Sequence, residues 1–135
     1  MNFLALNRWS RCLFIVGLCA GSVRAAESTP SPDARVRAAN TIEQAAQVDP
    51  ANPELWLHLG FARQKLGDTD AAQQAFGKAA ALDPKNLDAL YMLGLIDEKK
   101  HQTQEAIRVW KQYLAASPRP EKRELAEKHI HQLSQ

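Results

Sequence analysis

Apolar residues recur three and four positions apart through most of the chain, and this spacing predicts helices rather than strands. Ala38, Ile42, Ala45 and Val48 make one such stripe over a predicted helix from about Asp33 to Val48. Ser31-Pro32-Asp33 supplies a cap, a first-turn proline and a favourable acid at its start, and Asp49-Pro50 ends it. The same pattern predicts helices over 53–66, 69–82, 87–100 and 103–116, with Asn52 as a cap and Gly67-Asp68 as the first tight turn. In the second turn His101-Gln102 stands where Gly67-Asp68 stands in the first, which makes that turn the weaker one. A last helix over 121–133 carries Leu125, Ala126, Ile130 and Leu133 on one side and a dense set of charges on the other. The expected class is all-α, built from antiparallel helix hairpins.

The hairpins are copies of one another at a distance of 34 residues. Trp56, Leu59, Gly60, Ala72, Phe76, Asp83 and Pro84 recur as Leu90, Leu93, Gly94, Ala106, Trp110, Ser117 and Pro118. Ala79 breaks the match, because Tyr113 stands at its counterpart. Shifting upstream by the same interval aligns Ala38, Ile42, Ala45 and Asp49-Pro50 with Ala72, Phe76, Ala79 and Asp83-Pro84. The array therefore opens on the second helix of a unit. Two full units follow, at about 53–86 and 87–120, and then a capping helix.

A W-x2-L-G, A-x3-F, P pattern at this period resembles the tetratricopeptide repeat family from about Asp33 to the end of the chain. The resemblance implies a right-handed stack of hairpins in which Gly60 and Gly94 allow close approach to Ala72 and Ala106. It implies that Trp56 and Phe76 fill the remaining space. It also implies a concave groove lined by the first helix of each unit. At the groove offsets stand Leu57, His58 and Phe61, with Gln64 and Lys65, and then Tyr91, Met92 and Leu95, with Glu98 and Lys99. Trp56, Leu59, Gly60 and Arg63 are expected to face their own partner helix instead. The Lys and Asn side chains with which some relatives clamp a terminal carboxylate are missing here. A hydrophobic peptide or an amphipathic helix is the expected ligand.

Composition changes the picture at the N-terminus. Arg8 and Arg11 precede the apolar run Cys12–Ala20, and Val23-Arg24-Ala25 offers small residues for cleavage before Ala26. Residues 1–25 are expected to be a secretory signal and 26–32 a polar linker, which places the domain in the periplasm. The rival expectations are an uncleaved membrane anchor and lipidation at Cys19. The formal charge of +2 includes Arg8, Arg11 and Arg24; without these three of the 17 basic residues, 14 remain against 15 acidic ones. A near-neutral domain carries no electrostatic footprint for nucleic acid. Both cysteines, Cys12 and Cys19, lie in the signal, so the mature chain is expected to have no thiol chemistry.

Candidate chemistry is sparse. His129 and His131 point to different faces of one helix, and His58 and His101 have no evident partners, so no metal is expected and the histidines are expected at the surface. Asp97 and Glu98 are adjacent and diverge. Nucleophile and phosphate-binding motifs are absent. No enzymatic activity and no cofactor are expected. The chain is expected to be a protein-binding scaffold of the cell envelope. Fold-level analogy suggests, as alternatives, an anchored assembly factor for cytochrome c maturation, outer-membrane or pilus biogenesis, or a self-associating subunit or homodimer in which a second copy covers the Asp33–Val48 helix.

Overall fold

A computed structural model describes residues 30–117 and 119–135. The expected signal, both cysteines and Pro118 lie outside the described residues. Six α-helices follow in order: α1 (Pro32–Val48), α2 (Pro53–Lys65), α3 (Thr69–Leu82), α4 (Leu87–Lys99), α5 (Thr103–Ala116) and α6 (Pro120–Leu133). Each packs on its neighbours in sequence, most extensively within the hairpins α2–α3 and α4–α5.

Local chemistry explains the boundaries. The side chains of Ser31, Asn52, Asp68 and Asn86 accept backbone N–H bonds from Ala34, Glu54, Ala71 and Ala89, which satisfies donors that a helix start leaves free. Gln102, before α5, makes no such cap. Gly67 turns α2 into α3 at φ +80°, and His101 does the same between α4 and α5 at φ +58°. A residue with a Cβ is strained in that left-handed region. The second turn is thus weaker on both counts, as its composition implies.

Two buried clusters form the core. One joins Leu57, Ala72, Phe76, Ala79, Ala89 and Ile96, with Trp56, Phe61, Met92 and Leu93 packed against it. The other joins Leu90, Ala106, Val109, Trp110, Tyr113 and Ala126, with Tyr91, Leu95, Ile130 and Leu133 against it. Phe76, Leu90 and Trp110 are the largest fully buried side chains. Leu59 is also buried. Trp56 is only half-buried; its indole N–H donates to the Pro50 carbonyl at 2.9 Å, and Lys78 Nζ lies 3.9 Å over its ring.

Gly60 and Gly94 have a ring, rather than a second small side chain, as their nearest neighbour across the hairpin. A Cβ on Gly60 would meet the Phe76 ring at 2.6 Å, and one on Gly94 would meet the Trp110 ring at 2.8 Å. Each glycine is a seat for the aromatic ring of the partner helix. Burying a ring of this size is worth roughly 2–3 kcal/mol, which outweighs the helix penalty of glycine of about 1 kcal/mol.

The stripe expected on α1 is displaced. Ala39 and Ala46 are the residues buried against α2, whereas Ala38 is exposed and Val48 is 87% exposed. Ala38 and Ala45 match residues that bury against the first helix of their own unit, and no such helix precedes α1 among the described residues. On α6, Ala126 is buried and Ile130 and Leu133 pack inward, but Leu125 stays exposed.

Candidate protein-binding face

The residues assigned to the groove separate into three groups. Leu57 is only 6% exposed and belongs to the first core cluster, so it does not line the groove: it packs where α2, α3 and α4 meet. His58 is exposed. Phe61, Tyr91, Met92 and Leu95 are half-buried. Each of these four anchors one side in the core. Phe61 meets Phe76 edge-on at 5.1 Å between ring centroids, and Tyr91 meets Trp110 edge-on at 5.8 Å. Met92 packs on the first cluster and Leu95 on the second. The surface that each side chain leaves open, on α2 for Phe61 and on α4 for the other three, is what remains of the expected apolar strip. The strip is thinner than a sequence pattern of wholly outward residues suggests, because rings at these offsets also complete the core.

Lys65 and Lys99, in the last turns of α2 and α4, are exposed beside this strip. Glu98 is not a lining residue. Its Oε1 accepts a bond of 2.6 Å from Trp110 Nε1 and lies 2.8 Å from His129 Nδ1. His129 stacks on Trp110 with centroids 4.3 Å apart and planes 11° from parallel. The contact with Glu98 lacks hydrogen-bond alignment, so the nitrogen has an ionic neighbour but no bonded partner. From its place in the sequence this histidine is expected at the surface. Only packing reveals that α6 sets it on Trp110 and ties the cap to α4 and α5. His131 is exposed, on another face of the same helix.

Position 63 of the first unit and position 97 of the second tie each hairpin to the helix before it. Arg63, expected to face its own partner, reaches back to Glu43 and Asn40 on α1. Asp97 is buried and accepts a bond of 2.5 Å from Gln73 Nε2 on α3. Burial pushes its carboxyl above the ordinary carboxylate range, and the Gln73 bond only partly offsets that. Gln73 also bonds Gln102 and Lys100, and Lys100 pairs with Asp70, so the network closes around the second turn. It is a structural knot: among the described residues no three His, Cys, Asp or Glu gather as metal ligands do. No described helix is long and apolar enough to cross a membrane.

On the other side of α2 a cavity of about 180 Å³ opens between α1 and α3. Trp56, Arg63, Gln74 and Lys78 are among its lining, and its polar rim and small size suit solvent.

Family comparison places this geometry. Two tetratricopeptide repeat models match the chain, one over residues 64–128 and one over 41–74. A curated relative, the "Protein CTR9 homolog" of Arabidopsis thaliana, is 45% identical over 56 residues; that match takes in 41% of this chain and only 5% of the plant protein. Among solved structures, the type III secretion chaperone SycD of Yersinia enterocolitica, in complex with a peptide of the translocator YopD, is similar with a TM-score of 0.64. It is 19% identical, with 74% of this chain and 79% of that one covered. The first repeat domain of Spaghetti (RPAP3), bound to an HSP90 peptide, gives a TM-score of 0.62 at 20% identity, over 74% of this chain and 77% of that one. At such identities the likeness speaks to the fold alone. The family models, the 34-residue period and the stack of six helices agree, and the chain belongs to the tetratricopeptide repeat family.

Proposed function

We propose that this chain is a non-catalytic protein-interaction module of the cell envelope. It holds a peptide segment or amphipathic helix of a partner on the face shared by α2 and α4. The observation that carries the reading is the strip itself: Phe61, Tyr91, Met92 and Leu95 keep part of their apolar surface open at matching offsets of successive units, with His58 exposed beside them. Met and aromatic side chains suit such a role, since aromatic rings bury much apolar area and a flexible thioether adapts to the shape of a partner. Two structural neighbours bear peptides, SycD one from YopD and Spaghetti one from HSP90, which supports the same use of the fold here. The envelope location rests on the signal-like residues 1–25.

Phe61 and Tyr91 also support the core, so substituting them confounds binding with stability. A photo-crosslinking residue at the exposed His58 avoids that. It is expected to capture a partner in living cells, while the same group at Lys111, on the outer side of α5, is not. Equal capture at both positions, or none at 58, overturns the reading. N-terminal sequencing of the chain from its host is expected to begin at Ala26; an intact Met1 overturns the exported, cleaved form.

A further inference from the structure

The helix α1 has a face that the repeat leaves bare. Its counterpart on α3 is Ala72, Phe76 and Ala79, all fully buried under α2. On α1 the matching residues are Ala38, which is exposed, and Ile42 and Ala45, which are half-buried. Among the described residues no helix precedes α1 to cover them as α2 covers α3. There the turn Gly67-Asp68 precedes Thr69, whereas α1 starts at Pro32, so positions 33 and 34, where the turn would lie, are already helical. The far end of the array offers no cover either: α6 presents Glu124, Glu127, Lys128 and His131 outward, all exposed. A head-to-tail stack would set those charges on an apolar edge.

We propose that α1 of a second copy covers this face, antiparallel, about a two-fold axis between Thr41 and Ile42. In that arrangement Ala38 lies opposite Ala45 of the second copy, and Arg35 falls next to Asp49 of the second copy; both pairs occur twice by symmetry. Arg35 and Asp49 are exposed, and neither takes part in a salt bridge among the described residues. Ala34, Ala38 and Ala45 let the two axes approach, and Ile42 supplies apolar surface at the centre. Thr41 already donates its hydroxyl to the Arg37 carbonyl at 2.9 Å, so it brings no unmet donor to the axis. A helix of 17 residues is only about 25 Å long. The pair therefore buries less than a standard interface of roughly 1,600 Å², which puts the dimer in the weak, reversible class.

Sedimentation velocity of the chain, as its host processes it, tests this between about 10 μM and 1 mM. A reversible monomer–dimer equilibrium is expected. Ala38→Glu, at an exposed site that good helix formers suit, is expected to weaken it at least tenfold with circular dichroism and Tm unchanged. Arg35→Asp and Asp49→Arg are each expected to weaken it several-fold, and the double exchange to restore it. A monomer at 1 mM overturns the proposal. So does association that ignores Ala38→Glu, which places the contact elsewhere, or a double exchange that fails to restore pairing, which removes the antiparallel register.

Discussion

The hairpins α2–α3 and α4–α5 share one plan and differ in what fills it. In the first, Phe76 sits on Gly60, and glycine and a capping aspartate form the turn. In the second, Trp110 sits on Gly94, and the turn is made by a strained histidine followed by an uncapped glutamine. The larger ring is tied to what comes next. Trp110 bonds Glu98 and carries His129 of α6, whereas Phe76 sits in an apolar cluster and meets the Phe61 ring. The period sets where a ring meets a glycine, and the following helix sets how large and how polar that ring is.

The strongest way to break this comparison is truncation of the rings. Phe76→Ala and Trp110→Ala are each expected to cost roughly 3–5 kcal/mol in denaturant unfolding, because each empties a filled site. They should differ in reach: Trp110→Ala removes the support of His129, so amide exchange in α6 should speed up far more than after Phe76→Ala. Equal protection of α6 in both variants would show that Trp110 does not hold the cap.

The glycine seats come next. Gly60→Ala is expected to cost about 1–3 kcal/mol, since the added carbon would lie within 2.8 Å of three atoms of the Phe76 ring and overpacks it. Gly94→Ala should cost less, because its three nearest ring atoms lie at 2.8, 3.0 and 3.2 Å, a milder clash that needs a smaller shift of the Trp110 ring. A smaller effect tests the turns. His101→Gly should stabilise by about 1 kcal/mol by relieving a left-handed residue, and Gly67→Ala should destabilise by a similar amount. A chemical melt reads both; matching signs would mean that the turns do not differ as described.

The smallest effect concerns positions 63 and 97. Burial raises the carboxyl pKa of Asp97 in the folded chain, so the folded state holds that proton more tightly than the unfolded one. The contribution of this group is fully favourable below the ordinary carboxylate value and is lost as pH rises through the raised one. Asp97→Asn keeps an acceptor for Gln73 and removes the buried charge. It should therefore flatten this part of the Tm–pH curve and raise Tm at neutral pH. A neutral-pH Tm below that of the parent chain would show that the charge itself is needed by Gln73 and Lys100.

Much of the fold was readable in advance because helices announce themselves locally. Caps at Ser31, Asn52 and Asp68, breaks at Asp49-Pro50 and Asp83-Pro84, and the spacing around Gly60 and Gly94 act within a few residues, and each element formed within about a residue of its expected bounds. The candidate face was less readable. Leu57 and Phe61 lie on one side of α2, yet Leu57 is sealed in the core and Phe61 is only partly so. Helical spacing tells which residues share a face but not how far a neighbouring helix covers it. The stripe on α1 fails for the same reason: Ala38 and Ala39 are both apolar, and only the position of α2 chooses Ala39.

The amino-acid order by itself determined the helices and their 34-residue repetition, because propensity and capping act over short stretches of chain. Tertiary structure alone decided which apolar residues remain at the surface, that His129 stacks on Trp110, and that Arg63 and Asp97 bind the helix before them. Those outcomes depend on where a separate helix comes to rest, through burial and contacts between residues that are distant along the chain.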